Sequence, residues 1–592
     1  MNTDGKGKTT GDVAGDGIEI TIAGGRSGSA PAGDFTAVFG SAFDVAGALA
    51  AAFDHHRAGR LAEAEAIYKR ILDCQPDHAD ALHLLGMITY RRGGLDAAVD
   101  LIGRAIAADD AVANFHTNLG NVLAAKGLKQ DAIAAYLRAL ALDPGSAIAH
   151  NNLGNAHLAL GRLDEAEENY RAAIAQEPDY WPAHCNLGNA LLRKQQHQAA
   201  AESYRQALRI KPDSAEALGN LGELRHLDGA LGEAEELLQS AIAIDPGLVA
   251  AHSNLGALWM DLGRYDDACE RLEHVQSLDP DYLPARTNLG LLALLRGEYA
   301  TAWPFYAARQ SVREHAGALW QEPLPRDLKG KHVLILKDQG LGDEIFFLRF
   351  APVLKARGAR ITYCAGAKIV AILKRLPFLD EVVTSEAGLE APDYKLSAGD
   401  LPLALGMASA GDLPPVYSLP MEDGREAAMT RRLGELGPPP YIALTWRAGT
   451  PHEPGSIFKE APAAVLARTL AAVSGTVVAL QRNPEPGEIA AVTAALGRPV
   501  HDLTDLNDDL EDMLAALSLI DEYVTVSNTN VHLRCGVGRP SRVLVPNPPE
   551  WRWMAAGDQS PWFPGSPVYR QGVDGSWDGA LARLARDLGG KG

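Results

Sequence analysis

The sequence predicts an α-solenoid followed by an α/β region in two halves. Three observations carry this. From about residue 45 to 316 a pattern of small residues recurs every 34 positions in unbroken register. At Lys331 that period stops, and short apolar runs begin to alternate with amphipathic stretches. A segment rich in proline and glycine, 411–440, divides the alternation in two.

The repeat is read from Asn-Leu-Gly at 118–120, 152–154, 186–188, 220–222, 254–256 and 288–290, with Leu85-Gly86 and Ala52 continuing the series N-terminally. Twelve residues after each glycine-equivalent position stands an alanine: Ala64, Ala98, Ala132, Ala166, Ala200, Ala234, Ala268 and Ala302. Twenty-four residues after it stands a proline (Pro76, Pro144, Pro178, Pro212, Pro246, Pro280), with Asp110 and Glu314 the exceptions. Small residue, alanine and closing proline at a 34-residue period are the signature of tetratricopeptide repeats, each a pair of antiparallel helices. The small residue lets the first helix approach the alanine of the second. Tyr68, Tyr136, Tyr170, Tyr204 and Tyr306 are expected to fill the space between repeats, and the proline ends the second helix. In the last unit Trp303-Pro304 interrupts the second helix and Arg309 replaces the small residue, as in a capping repeat that docks onto the neighbouring C-terminal domain.

Stacked repeats form a superhelix with a concave face. Asn118, Asn152, Asn186, Asn220, Asn254 and Asn288 are turned about 100° around the helix from their leucines, toward the groove. Asn121, Asn155 and Asn189 lie three residues on, along the same stripe. Each carboxamide both donates and accepts, so the column is spaced to track an extended peptide. The alternative is that these asparagines satisfy neighbouring loops or solvate the groove. His116, His150, His184 and His252 read as packing substitutes for an aromatic residue rather than as ligands, and no metal is expected there.

Composition narrows the function. With 592 residues the chain has room for more than one domain. A net charge of −20 and a pI near 5.3 argue against a role dominated by nucleic-acid phosphates, but leave room for an anionic small ligand in a local basic pocket. Five cysteines without paired spacing suggest neither a zinc site nor a disulfide framework and fit a reducing, cytoplasmic setting. The start MNTDGKGK has no apolar signal region, and no apolar run approaches the length of a membrane span. Stable membrane insertion is therefore not expected. Residues 1–44, rich in Gly, Asp, Ser and Thr, read as a disordered segment with one short apolar run at 18–22. The repeats follow over 45–316 and are expected to fold alone, since each buries its core only against its neighbours. A linker spans 317–330, the first half 331–430 and the second half 431–592.

In the first half, strands are expected at 332–337, 359–364, 380–384 and 394–396, with an amphipathic helix at 345–357 and another ending at 376. In the second, strands are expected at 441–446, 476–481, 523–527 and 542–546. Helices are expected at 461–474, 487–496, 510–520, from about 530, and at 581–588. Such alternation means parallel sheets with right-handed crossovers, hence two Rossmann-like halves.

Ligands of open α/β sheets bind beyond the carboxyl ends of the strands. DQGLGDE (338–344) lies there in the first half. Gly340 and Gly342 allow a tight turn and close approach, and Asp343 near the helix start is either an N-cap or a general base facing the cleft. The second-half counterpart is SNTNVHLRCGVGRP (527–540). There a helix start near Thr529 offers backbone N–H groups to a phosphate, with Thr529, Asn530 and His532 beside it. TWRAG (445–449) and Phe458-Lys459-Glu460 could add cations, Arg447 and Lys459. Lys459 reads equally as a solvated surface residue. Trp551, Trp553 and Trp562 either clasp the C-terminal segment or stack on a sugar.

DQGLGDEIFFLRFAPVLKARGARITYCAG, TVSNTNVHLRCGVGRPSRVLVP and EWRWMAAGDQSPWFPGSPVYRQ resemble bacterial repeat-fused glycosyltransferases of the heptosyltransferase-like class. The likeness extends over about 45–588. The architecture is similar to that of flagellin-modifying glycosyltransferases of alphaproteobacteria, and the asparagine column to that of the O-linked N-acetylglucosamine transferase. The resemblance implies a GT-B arrangement of the two halves and an inverting, metal-independent transfer without a cofactor. The donor it implies is a nucleotide sugar, such as the CMP form of a nonulosonic acid like pseudaminic acid, and the acceptor is flagellin. Asp343 matches the family's acidic base, and His532 the family's histidine that follows an Asp-Thr pair. Here the leading Asp is Asn528, which points to a donor other than ADP-heptose. Loss of that carboxylate also eases the approach of an anionic sugar. A noncatalytic adaptor with a degenerate transferase half, or a heptosyl or hexosyl transferase acting on lipopolysaccharide, are the alternatives.

Overall fold

The computed structural model describes residues 44–309, 319–449 and 459–589. The expected disorder of 1–44, with its 18–22 run, falls outside these except for Asp44, as do Glu314 and Phe458. The described residues group into two compact units, one ending at Asn254 and the other beginning at Leu255. The division thus falls within the repeats rather than at the 317–330 connector.

The first helices of the repeats start at Val45, Ala79, Ala113, Ala147, Trp181, Ala215, Val249 and Leu283, and their partners at Leu61, Leu95, Lys129, Leu163, His197, Leu231, Tyr265 and Tyr299. Both series keep the 34-residue step read from the sequence. The second helices stop two residues before each proline, as in Leu163–Gln176 before Pro178. Leu95–Ala108 stops at the same place with Asp110 in the proline's position, so repeat packing itself ends the helix and the proline forbids its extension. All eight alanines are fully buried.

The glycines have a different partner from the one expected. A Cβ on Gly120, Gly154 or Gly188 would lie 2.4, 2.6 or 2.4 Å from the ring of Tyr136, Tyr170 or Tyr204. On Gly222 or Gly256 it would meet Leu238 or Leu272 at 2.8 and 2.7 Å. The glycine therefore makes room for the large residue of its own repeat's second helix, and the tyrosines also fill the space toward the following repeat, Tyr136 sharing a buried cluster with Leu153 and Ala156 and Tyr204 with Leu221.

The last repeat pairs Leu283–Arg296 with the short helix Tyr299–Tyr306, which contains Pro304. Beyond it, β1 (His332–Leu336), β2 (Arg360–Cys364), β3 (Glu381–Val383) and β4 (Tyr394–Ser397) form a parallel sheet in the order β3-β2-β1-β4. The second sheet contains β5 (Tyr441–Thr445), β8 (Thr476–Ala479), β9 (Val500–Asp502), β10 (Glu522–Val526), β11 (Arg542–Val545) and β12 (Val568–Arg570). Its order is β12-β11-β10-β5-β8-β9, again all parallel. Counted within the half this is the doubly wound dinucleotide-fold order, whose switch point lies between β5 and β10. The corresponding point of the first sheet lies between β1 and β4. A hairpin of β6 (Arg447–Ala448) and β7 (Lys459–Glu460) follows β5.

Several elements differ from expectation. The stretch 345–357 is two helices, Leu341–Phe347 and Ala351–Ala356, joined by a 3₁₀ turn; Pro352 favours a new start there. Within the 411–440 boundary lies the helix Arg425–Leu436, whose Met429 and Leu433 are buried as it packs on Leu510–Leu519. The helix expected to end at 376 is the single turn Val370–Leu373.

Candidate functional site

The asparagine stripe is tied together across repeats. Burial and the neighbouring His56 hold His83 down at about 3, so its ring is neutral. Asn118 Nδ2 lies 2.9 Å from His83 Nε2. Asn121 donates to Asn118 (3.4 Å), Asn152 to Asn121 (2.9 Å), Asn151 to Asn152 (3.3 Å) and Asn186 to Asn151 (2.9 Å). The tyrosines that fill the glycine notches join in: Tyr136, Tyr170 and Tyr204 donate to Asn121, Asn155 and Asn189 at 2.7–2.8 Å. Asn220 reaches Cys185 Sγ at 3.3 Å and Asn254 reaches Glu223 at 3.3 Å. Asn118 is buried, Asn288 half-buried and Asn155 exposed. Much of the column is thus a hydrogen-bonded ladder between repeats, the neighbour-satisfying role left open above. Asn151 belongs to it and carried no signal, since it precedes the Asn-Leu-Gly triplet.

The histidines act alike. Nε2 of His116, His150, His184 and His252 sits 3.1, 3.3, 2.8 and 2.9 Å from the carbonyls of Asp110, Pro144, Pro178 and Pro246. Each pins its own first helix to the turn before it.

In the α/β region the chain-first strand of one half and β10 of the other each feed a helix, Leu341–Phe347 and Thr529–Gly536, and the two helices pack together. A Cβ on Gly342 would lie 3.2 Å from His532 Cδ2 and 3.6 Å from Thr529 Oγ1. Gly342 therefore serves close approach. Neither Gly340 nor Gly342 adopts a left-handed φ, so the expected tight turn is not their role. Gly340 is the N-cap of its helix.

Asp343 occupies the third helical position rather than the cap. Its Oδ2 accepts from the Gly340 N–H at 3.2 Å and its Oδ1 pairs with Arg552. The Arg552 guanidinium lies 4.9 Å from the ring of Phe346 and 4.7 Å from that of Trp551. Burial opposes its charge, but Asp343 and Glu550 overcome this and raise its pKa. Lys459 pairs with Glu550 at 2.5 Å and donates to the Ser527 carbonyl at 3.2 Å; it is half-buried and engaged, not a solvated surface residue. Burial likewise opposes the Glu550 charge, yet Lys459 and Arg552 hold the carboxyl below its usual range. His532 packs edge-on against Phe346 and Phe563. Burial, then Arg552, Lys459 and Arg349, hold it well below its ordinary pKa, so the ring is neutral.

Asn528 caps Thr529–Gly536, accepting from Val531 N at 3.3 Å, while its Nδ2 donates to Thr525 Oγ1 at 2.8 Å and Tyr523 OH at 3.2 Å. An aspartate here would keep the cap and lose both donations. Asn530 is buried and Thr529 half-buried beside Gly342. Arg447 is turned elsewhere: it pairs with Glu488 at 3.0 Å and donates to the Asn483 carbonyl at 3.2 Å. The cation beside Asp343 is Arg552 rather than Arg447; Arg552 and Glu550 escaped the sequence reading. Both lie in the tryptophan-rich segment, where only the aromatic residues drew attention.

Those tryptophans are buried. Trp551 and Trp562 pack against each other and against Trp303 and Phe346, with ring centroids 5.0–6.1 Å apart. Trp553 stacks on Phe563 at 4.6 Å. They clasp the segment and leave no ring face for a sugar. Tyr299, Trp303 and Tyr306 of the last repeat join the cluster. This docking is the one the capping repeat led us to expect. It also means that the last repeat does not bury its core only against neighbouring repeats.

Arg309 completes the anchor. It is 3% exposed and donates to Asp338 (2.9 Å), Asp400 (2.5 Å) and Ser397 Oγ (3.2 Å). Asp338 opens the DQGLGDE loop, and Asp400 follows β4 at the switch point. Burial pushes the Asp400 carboxyl up to about 6 against the pull of Arg309, and Asp338 adds to the rise. Asp338 Oδ1 and Asp400 Oδ2 are buried without a partner.

Among the described residues no helix is long and apolar enough to cross a membrane. Comparison with known proteins bears on the repeats. Tetratricopeptide repeat family models match residues 49–113, 83–147, 117–180, 151–215 and 185–249, and a second such model matches 226–289. Protein FlbA of Caulobacter vibrioides is 25% identical over 329 residues, which cover 48% of this chain and 52% of FlbA. The chain thus spans about half the length of this curated relative. Among solved structures, MamA is 26% identical with a TM-score of 0.26, covering 28% of this chain and 96% of its own. A thermophilic repeat protein of Thermus thermophilus, TTC0263, is 26% identical with a TM-score of 0.29, covering 31% of this chain and 100% of its own. Residues from about 45 to 300 form a tetratricopeptide-repeat solenoid, and the chain beyond it an α/β region of two parallel sheets.

Proposed function

We propose that this chain is a protein O-glycosyltransferase whose repeats hold an acceptor protein, flagellin, while the α/β halves bind a nucleotide-activated sugar. Tetratricopeptide repeats as a class bind partner proteins, which supports the first part. One observation carries the second: Asp343, His532, Arg552 and Lys459 converge where two facing helices leave the switch points of two doubly wound sheets. That is where such sheets bind nucleotides. The sugar we assign is a nonulosonic acid such as pseudaminic acid, delivered from its CMP form. It rests on the motif resemblance and on the absence of a carboxylate at Asn528.

In the reaction Asp343 takes the proton of an acceptor Ser or Thr hydroxyl. The hydroxyl oxygen forms the new bond to the anomeric carbon as the bond to the donor phosphate oxygen breaks. The nucleoside monophosphate leaves as an anion, met by Lys459, Arg552 and the free N–H groups at the start of Thr529–Gly536.

The test is transfer to purified flagellin by the full-length chain with CMP-pseudaminic acid, read as a mass increase on flagellin. Asp343→Asn keeps the acceptor contact to Gly340 and should fold and capture flagellin normally while transfer falls ~10²–10⁴-fold. Lys459→Ala should weaken protection of the α/β region by cytidine monophosphate against thermal unfolding. Protection by ADP but not by cytidine monophosphate would redirect the reading to heptose transfer on lipopolysaccharide. A second reading, a noncatalytic adaptor, is favoured by the engagement of Asp343 with Arg552. Flagellin captured but never modified with CMP-pseudaminic acid would support it.

A further inference from the structure

The pairing of Asp343 with Arg552 raises a question for any reaction at this site, since the group assigned to take a proton is engaged by a cation. The two partners are held very differently. The Arg552 guanidinium is fixed between the rings of Phe346 and Trp551, and its Nε is buried with no hydrogen-bond partner. Asp343 stands at the mouth of its helix and has a second contact, the Gly340 N–H, to fall back on. Lys459 beside it is tethered in the same way by Glu550, two positions before Arg552. The cations are therefore in place beforehand, each neutralised by a carboxylate.

We infer that Arg552 is a donor-binding residue and that the donor's anionic group replaces Asp343 on it, so that Asp343 becomes free only once the donor is bound. This rests on the transferase reading above and adds an order to it: donor first, acceptor hydroxyl second. Arginine suits the exchange because its planar fork binds carboxylate and phosphate in the same geometry. An empty site keeps both charges satisfied. A loaded one transfers the cation's contact to the phosphate and leaves Asp343 on the Gly340 N–H, facing the acceptor. Activation of the hydroxyl without a sugar to receive it is thereby avoided.

The experiment measures binding of cytidine monophosphate, ADP and inorganic phosphate to the full-length chain and three variants by calorimetry, with thermal melts to confirm folding. Asp343→Asn substitutes a neutral competitor for a charged one and should tighten binding of the best probe roughly tenfold. Arg552→Met, whose side chain still fits between the two rings, should weaken it at least tenfold. The double variant decides between contact and mere field. Removing both members leaves the net charge of the site unchanged, so if Arg552 acts only through its charge the double variant binds like wild type, and the inference is overturned. If Arg552 is the anion's partner, the double variant binds at least tenfold more weakly than wild type. A structure of the wild-type chain with cytidine monophosphate gives the same decision without a substitution: Arg552 on the phosphate supports the exchange, and Arg552 still on Asp343 with the anion elsewhere refutes it. Failure of all three probes to bind wild type also overturns it. Transfer to flagellin is scored separately, so the exchange can fail while the transferase reading stands.

Discussion

Replacing Asp400 by Asn should abolish a specific loss of stability between pH 4 and 7. In the folded chain burial lifts the Asp400 carboxyl from 3.8 to about 6, even with Arg309 against it. The folded form therefore holds a proton in a range where the unfolded chain has released it. A raised carboxyl contributes stability that is complete below about pH 4 and is lost as the pH climbs through about 6. At about 1.4 kcal/mol per pH unit, that displacement corresponds to about 3 kcal/mol lost by pH 7. Asp400 is fully buried, so solvent screening does not dilute it. The asparagine of the variant keeps an acceptor for Arg309 and cannot titrate. Urea melts of wild type and Asp400→Asn from pH 4 to 7.5, followed by tryptophan fluorescence, cancel the other titrating groups on subtraction. The difference curve should rise in favour of the variant by about 3 kcal/mol, with its midpoint near pH 5. Parallel curves would refute the reasoning.

Two further outcomes follow from packing. Gly154→Ala would place a methyl 2.6 Å from the buried ring of Tyr170, whose hydroxyl is held by Asn155. Overpacking of about 1–3 kcal/mol outweighs a helix-propensity gain of about 1 kcal/mol, whereas Gly103→Ala, with open space at its Cβ, should stabilise by up to about 1 kcal/mol; chemical melts of the two variants should move in opposite directions. A fragment of residues 45–316 strips Tyr299, Trp303 and Tyr306 of their partners Phe347, Trp551 and Trp562. It should aggregate and bind a hydrophobic dye where a 45–244 fragment stays monomeric in sedimentation, and a monomeric, dye-silent 45–316 would disprove that dependence.

The repeat register was legible because the same constraint is imposed eight times: a small-residue notch, glycine in all but the first repeat, and a buried alanine must recur at one period for helices to stack. The longer strands were legible as apolar runs between turn residues. The helix Arg425–Leu436 was not, since Pro and Gly on both flanks masked a stripe of only two buried side chains, Met429 and Leu433. The strands Val500–Asp502 and Val568–Arg570 are three residues each, too short for a period to show. At the site, Asp343, His532 and Lys459 could be placed beside strand ends from sequence. What they touch could not: Arg552 meets Asp343 across 209 positions of chain, and no local pattern encodes such a pairing. Arg447 shows the converse, a basic residue at a strand end turned away by two nearby carboxylates, Glu485 and Glu488.

The welding of the last repeat to the α/β halves also bears on how such a chain can be rebuilt by recombination. A crossover in the proline-bearing connector would separate Trp303 from Trp551 and Arg309 from Asp338 and Asp400, leaving an apolar scar on one product and two buried carboxylates without their cation on the other. Junctions that exchange one repeat array for another therefore belong upstream of Leu283, with the final helix pair inherited alongside the sheets. Earlier repeats, built to one period, can be gained or lost in whole units. The heritable boundary between the repeats and the α/β region thus lies inside the solenoid, one repeat before its end.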